Sequence, residues 1–417
     1  MRSSVYRSGF RWAFLAVLLC ALPLGAWADW GALNMPKGVT EISNEVYQLH
    51  MKIFYICCAI GAAVFAVMIV SMFLHRKSRG AKPATFHEST TVEIIWTVVP
   101  LVILIAMAIP AARVLIKMED FSDSEMSIRV TGYQWRWHYE YMDNGVQFYS
   151  QLDAEHNAAR QQGSDVDLET AFTGRDFNGE EDVYLREVDN ELVVPVGKKI
   201  RFLHTAADVI HSWWVHDLAI KKDAIPGFIN ENWALIEEPG IYRGKCAELC
   251  GRDHGFMPIV VRAVPQEEYD AWVADKQLAM AKADTDADRQ WSRPELVTAG
   301  KAVYEANCMS CHQAEGQGIP GMFPAIAGSS VVTGSMDKHI DTVMNGVDGT
   351  MMSPFTGALS DADIAAVITY QRNAFGNATG EVLQPVHVRS LRDGLGINAP
   401  SSVASAADTI SNEGGVN

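Results

Sequence analysis

Positive charge is scarce in this chain of 417 residues: 34 Lys and Arg stand against 50 Asp and Glu, a formal net charge of -16. A nucleic-acid surface needs the opposite balance, so that class of partner is argued against, and the acidic excess suits a cationic partner or simply solubility. No internal repeat is present, and a 48% hydrophobic composition is too low for a polytopic membrane protein. With only 20% charged residues the chain is also too apolar to be disordered, which leaves several domains with a few membrane spans. Cysteines are few, seven in all, and four of them stand in two clusters of metal-ligating residues.

The N-terminus carries Arg2, Arg7 and Arg11, an apolar run from Trp12 to Leu24, and then Ala26-Trp27-Ala28, which predicts a secretory signal over residues 1–28. Leu19 precedes Cys20 where a lipoprotein signal needs a small residue, so Cys20 belongs to the removed peptide. Two apolar stretches predict a transmembrane hairpin within residues 29–120, with helices over about 49–74 and 92–116. His75, Arg76, Lys77, Arg79 and Lys82 lie between them and place that short loop in the cytoplasm. Everything after Ile116 then lies outside. The tandem Cys57-Cys58 inside the first span reads as small apolar packing residues.

From residue 121 to 265 short alternating runs such as Ser127-Ile128-Arg129-Val130, punctuated by Gly and Pro, predict an antiparallel sandwich or barrel. Gln151 to Asn190 is acidic, Gly-rich and weakly periodic, and reads as an insertion or surface loop. Residues 266–291 read as a helical linker, and 292–379 as an α-helical domain. That last domain opens with a capping box of Ser292 and Glu295 and closes with a helix from Ser360 carrying Asp363 and the stripe Ile364, Val367, Ile368. The tail, 380–417, is rich in Ser, Ala, Gly and Asn and is expected to be flexible.

The first cluster is Cys246-x-x-x-Cys250-x-x-x-His254-x-x-Met257. Copper in its lower oxidation state prefers thiolate, thioether and imidazole donors, and this loop offers all three. Two thiolates can bridge two metals; His211 supplies a second imidazole, with Met257 and a backbone carbonyl near Glu248 as weak axial donors. His204 and His216 are rival upstream imidazoles that spacing alone does not reject. A disulfide or a zinc site is the plainer reading of the same residues, although a disulfide leaves His254 and Met257 without a role.

The second cluster is Cys308-Met309-Ser310-Cys311-His312, the pattern in which two thiols form thioethers with haem vinyl groups and the adjoining His takes one axial position. The other axial ligand is expected from a Met on a downstream loop, and Met351 and Met352 both qualify. Gly349-Thr350-Met351-Met352-Ser353-Pro354-Phe355 resembles the corresponding segment of small bacterial cytochromes c, which implies Met352. Met322, Met336 and Met344 read as packing residues.

Asp208-Val209-Ile210-His211-Ser212-Trp213, the 246–257 loop and the aromatic run Gly132-Tyr133-Gln134-Trp135-Arg136-Trp137-His138-Tyr139-Glu140-Tyr141 together resemble subunit II of haem-copper cytochrome c oxidases. The resemblance spans roughly Thr40 to Val264. It implies two membrane helices, a cupredoxin-like domain, and a binuclear CuA centre of two copper ions held by His211, Cys246, the Glu248 carbonyl, Cys250, His254 and Met257. It also implies that Glu93 stands near the mouth of a proton pathway into subunit I. The Glu248 side chain would join a magnesium or manganese site shared with that subunit, and Trp135 would accept electrons from a docked cytochrome c. Arg136 stands where many relatives have an aromatic residue.

The function expected is electron entry into a respiratory cytochrome c oxidase of the bacterial inner membrane, with both redox domains on the extracytoplasmic side. Electrons would pass from a cytochrome c or other donor through a covalent haem c and CuA to subunit I. There, oxygen reduction to water would be coupled to proton translocation, with subunit III as a further partner. The chain has no set of intramembrane His residues for further haem or copper, so the oxygen chemistry belongs to another polypeptide. A nitrous oxide reductase would be larger and carry a His-rich catalytic domain, and a quinol oxidase subunit II would lack Cys246 and Cys250. A free-standing membrane-tethered electron carrier or a structural zinc protein is the remaining rival.

Overall fold

The computed structural model describes residues 34–82, 85, 87–161, 185–347 and 349–394. The expected signal segment, 1–28, lies outside the described residues, as do most of the acidic insertion and the tail beyond residue 394. Two compact units divide the chain, residues 1–37 with 47–86 and residues 38–46 with 87–417.

Helix α1, Glu41–Leu74, begins eight residues before the apolar run that was expected from 49. Its start is fixed by reciprocal capping: Ser43 N donates to Thr40 Oγ1 at 3.0 Å and Thr40 N donates to Ser43 Oγ at 2.9 Å. Helix α2, Thr90–Met118, contains Pro100 and Pro110. Both helices are long and apolar enough to cross a membrane. At the end of α2 Lys117 pairs with Glu41 at 2.5 Å and Glu45 at 2.7 Å, and its carbonyl accepts from Trp233 Nε1 at 3.2 Å.

Among the described residues ten strands follow, grouped in two five-stranded sheets. One orders β3 (Gln147–Ser150), β2 (Arg136–Tyr141), β1 (Met126–Tyr133), β5 (Lys199–Ala206) and β8 (Asn230–Leu235). The other orders β4 (Leu192–Pro195), β10 (Pro258–Val264), β9 (Gly240–Cys246), β6 (His211–Val215) and β7 (Ile220–Ala224). The sandwich is mixed rather than wholly antiparallel, because β1 pairs β5 and β10 pairs β4 in parallel register. Alternation in β5, with Ile200, Phe202, His204 and Ala206 turned inward, specifies the buried face but not the neighbouring strand. Trp213 stacks on Phe202 with centroids 5.4 Å apart and donates from Nε1 to the Tyr139 hydroxyl at 3.2 Å, so this large ring is both buried and satisfied.

The insertion starts with helix α3, Ala154–Gln161. Helix α4, Gln266–Asp286, presents Tyr269, Trp272, Val273 and Lys276 at helical spacing. Tyr269 and Trp272 pack on Tyr141, and Lys276 lies over the Phe148 ring at 4.9 Å. Gln277 Nε2 donates to Asn144 O at 3.1 Å, so the first half of the linker is laid against the sandwich.

The C-terminal domain comprises α5 (Arg293–Asn307), α6 (Met309–His312), α7 (Ser330–Thr333), α8 (Met336–Asn345), α9 (Asp361–Asn373) and α10 (Pro385–Gly394). The capping boxes at Ser292 and Ser360 form, and Ile364, Val367 and Ile368 are fully buried. Burial of each of those three side chains contributes about 1.5–3 kcal/mol. Helices α5 and α9 cross at Gly300, where an added Cβ would lie 2.0 Å from the Ala366 carbonyl oxygen. The stretch from 380 departs from the expected flexible tail up to Gly394. Val388 and Arg392 of α10 are buried, and the Arg392 guanidinium donates to Asp361 at 2.8 Å, to Leu359 O at 3.1 Å and to Thr356 O. Pro385, Val388 and a paired arginine are the buried residues of this helix, and Leu391 packs against the same core.

Candidate metal and haem centres

Strand β6 begins with His211, β9 ends with Cys246, and a loop carrying Glu248, Cys250, His254 and Met257 returns into β10. The two thiols are buried and free, with sulfurs 3.8 Å apart, far beyond the roughly 2.05 Å of a disulfide. His211 Nδ1 lies 3.9 Å from Cys246 Sγ, His254 Nδ1 3.5 Å from Cys250 Sγ, and Met257 Sδ 3.5 Å from Cys250 Sγ. The Glu248 carbonyl faces Cys246 Sγ at 3.3 Å, while its side chain is exposed. Two thiols, two imidazoles, a thioether and a carbonyl thus converge, and the thioether favours copper over zinc. The hydrogen bond between the sulfurs lowers the Cys246 thiol and raises Cys250.

Of the three upstream imidazoles, only His211 reaches the sulfurs. His204 is buried between Phe202 and Trp213 with Nε2 on Asn232 Oδ1 at 3.0 Å, and burial pushes it down to about 4. His216 lies in the turn after β6 beside Trp214. His211 itself contacts Asp208 Oδ1 through Nε2 at 3.0 Å, which leaves Nδ1 for a metal. Burial disfavours its charged form, but the Asp208 and Cys246 hydrogen bonds outweigh that and raise it. Gly132 makes room for this ring: a Cβ there would lie 2.7 Å from His211 Cδ2.

In the sequence, Asp208 is marked as a partner of His211 by nothing beyond the three-residue spacing between them. Its Oδ2 also accepts from Gln134 N at 2.7 Å, tying the aromatic run to the metal loop. Replacement of Asp208 by alanine should weaken copper binding by about 10–100-fold, the usual cost of removing a carboxylate behind a ligating imidazole. Metal titration of the protein measures this, and an unchanged affinity would count against an orienting role.

Gln134 Nε2 and Trp135 Nε1 both donate to Cys250 O, at 2.7 and 3.2 Å. Arg160 of α3 forms a two-pronged pair with buried Asp253, at 2.9 and 3.4 Å, and lies over Phe256 at 4.2 Å. That brace of the metal loop had no sequence signal.

The second centre is a cavity of about 350 Å³. Cys308, Cys311, His312, Met351 and Met352 line it from the helical domain, and Gln134, Trp135, Arg136, Arg160 and Asp253 from the sandwich. His312 Nδ1 lies 2.9 Å from Pro324 O, the geometry of an N–H donor, so Nε2 is the bare nitrogen available to iron. Burial lowers His312 and pushes the Cys308 thiol up to about 12. Met352 packs against the domain core, whereas Met351 is exposed. An apolar-walled cavity with two thiols, a tautomer-fixed imidazole and a thioether fits a covalent haem. Glu93 lies apart from both centres, in the first turn of α2, where its carbonyl accepts from Thr97 Oγ1 at 2.9 Å.

A membrane-anchored cupredoxin domain fused to a cytochrome c domain is the class these features define. Residues 126–264 match the model for cytochrome c oxidase subunit II, periplasmic domain, and 28–114 its transmembrane domain. Residues 295–370 match that for cytochrome c oxidase, cbb3-type, subunit III. The probable cytochrome c oxidase subunit 2 of Rickettsia bellii is 36% identical over 246 residues, 59% of this chain and 84% of the relative. The cytochrome c oxidase subunit 2 of Cereibacter sphaeroides is 32% identical over 243 residues, 58% of this chain and 80% of the relative. A crystal structure of the periplasmic domain of subunit II from Bradyrhizobium japonicum is 36% identical, covering 38% of this chain and 99% of that one, with a TM-score of 0.32.

The chain belongs to the cytochrome c oxidase subunit II family and carries a C-terminal cytochrome c domain. It is therefore a component of an oxidoreductase complex whose partners are other oxidase subunits. Its domains imply CuA copper and haem c.

Proposed function

We propose that this chain is the electron-entry subunit of its oxidase: the cytochrome c domain accepts electrons singly from an external donor, and the cupredoxin domain hands them to subunit I. The observation that carries this reading is the shared cavity, where the haem-attachment residues and Trp135 line one space and Trp135 Nε1 bonds the carbonyl of Cys250. Bound iron and copper supply one-electron couples; the protein supplies their seats. His211, Cys246, the Glu248 carbonyl, Cys250, His254 and Met257 would hold the copper pair, and Asp208 fixes the His211 tautomer. Cys308 and Cys311 would hold the haem through thioether links, and His312 and Met352 would supply a nitrogen and a sulfur donor to its iron.

Trp135 serves as the aromatic contact on the entry side. Glu93, at the water-accessible end of α2, holds and releases protons at the mouth of a pathway into subunit I that couples oxygen reduction to proton translocation. The exposed Glu248 carboxylate suits a magnesium or manganese ion shared with that subunit. Subunit III, the inner membrane and an extracytoplasmic position for both redox domains complete the assembly, the last supported by the basic loop from His75 to Lys82.

The test is an electron-spin and optical spectrum of the purified oxidase during oxygen consumption. A mixed-valence copper pair and a Met/His haem c, both reduced by donor and reoxidised by oxygen, are expected. Zinc in place of copper, or a haem c that stays reduced under oxygen, would overturn the reading.

A further inference from the structure

Arg136 opens strand β2, directly after Trp135, yet its guanidinium is buried with the residue 5% exposed. A buried cation needs compensation. Here it comes from ring faces and an amide oxygen supplied by two different domains. Its central carbon lies 4.4 Å from the Tyr149 centroid and 5.9 Å from that of Tyr133, both on the sandwich. It lies 4.5 Å from the centroid of Phe355, which belongs to the helical domain. Nη1 donates to Asn307 Oδ1 at 3.2 Å, and Asn307 is the residue before Cys308. A second contact runs parallel to it: Arg252 of the metal loop donates from Nη1 to Ser310 O, inside the haem-attachment motif, at 3.3 Å.

We propose that Arg136 is a positioning residue that clamps the cytochrome c domain onto the copper-loop face of the sandwich, so that Trp135 faces the haem cavity and the fused domain is the donor's point of entry. This rests on the electron-entry reading and specifies how the two centres are held. The α4 linker supplies proximity, but a tether alone leaves the pose free. The planar guanidinium, stacked on two rings and bonded to an amide beside the haem thioether, supplies the pose.

The step it governs is simple in balance. With both groups bound, one electron would leave ferrous haem, making it ferric, and enter the oxidised, mixed-valence copper pair, making both coppers cuprous; no bond or proton would be exchanged. Its rate depends on how the two domains are held, and misplacement of about 1 Å in a positioned reaction costs on the order of a hundredfold.

The experiment is flash reduction of haem c in the complete oxidase, following haem oxidation and copper reduction together, in the parent, Arg136→Ala, Asn307→Ala and the double variant. Hydrogen exchange of segments 250–256 and 306–310 is measured alongside. Transfer is expected to slow at least tenfold in each single variant, with the double no slower than Arg136→Ala, because both act through one contact. Asn307→Ala should also raise exchange in the copper loop across the interface, which damage confined to its own helix would not do. Asn307→Ala carries the test if Arg136→Ala fails to fold. Single variants as fast as the parent, or losses that multiply in the double, overturn the clamp alone. A parent that passes no electron from haem to copper overturns the electron-entry reading and the clamp with it.

Discussion

Replacing Cys250 by serine should abolish the copper signal and reduce oxygen consumption by at least about a hundredfold, beyond the 10–100-fold typical of changes behind the ligands. Cys250 stands at the centre of the donor set: its sulfur lies 3.8 Å from Cys246, 3.5 Å from His254 and 3.5 Å from Met257. Serine offers a hard, protonated oxygen where a soft thiolate is needed, and the change removes one of the two thiols of the donor set. The fold should survive, because the substitution is nearly isosteric and the Cys250 carbonyl still accepts from Gln134 and Trp135. Haem c should remain attached and reducible. Copper content by metal analysis and oxygen uptake of the assembled oxidase check this, and undiminished respiration with two coppers bound would refute the site.

Replacing Met352 by alanine should remove the sulfur-to-iron absorption of haem c and lower its midpoint potential by a few tenths of a volt, given that axial ligands set haem potentials over about 0.8 V. For a one-electron couple about 59 mV is tenfold in equilibrium constant, so a fall of roughly 0.2 V displaces the exchange with the donor by about three powers of ten. The equivalent change at Met351 should leave both properties intact. Met352 packs against the domain core, while Met351 is exposed. A redox titration of each variant decides between them, and a potential lost with Met351 instead would reverse the assignment.

Much of the candidate site was legible because its donors are local. Cys246 to Met257 is one loop, Cys308 to His312 one turn, and the boxes at Ser292 and Ser360 announce their own helices. What stayed hidden depends on strand order or on distant contacts. His204, His211 and His216 look alike along the chain. The pairing of β6 with β9, Trp213 opposite Cys246 and Trp214 opposite Lys245, delivers His211 to the sulfurs. Arg160 meets Asp253 across 93 positions and Arg136 meets Asn307 across 171, separations that no periodicity reports. The parallel β1–β5 and β10–β4 pairs were missed for the same reason, since alternation fixes a face and leaves the partner free. Helix α10 was missed because its anchoring rests on a charged residue, Arg392, buried only by virtue of Asp361 and two carbonyls.

Helix α4 carries a geometric consequence of its own. An α-helix turns about 100° and climbs about 1.5 Å with each residue. Its first half is held to the sandwich by Tyr269, Trp272 and Gln277, while just past its far end Trp291 N donates to Gln384 Oε1 at 3.0 Å. The segment therefore acts as a graduated crank: inserting one residue after Gln277 would swing the whole haem module by more than a quarter turn, whereas inserting seven would nearly restore its heading and push it outward by about 10 Å.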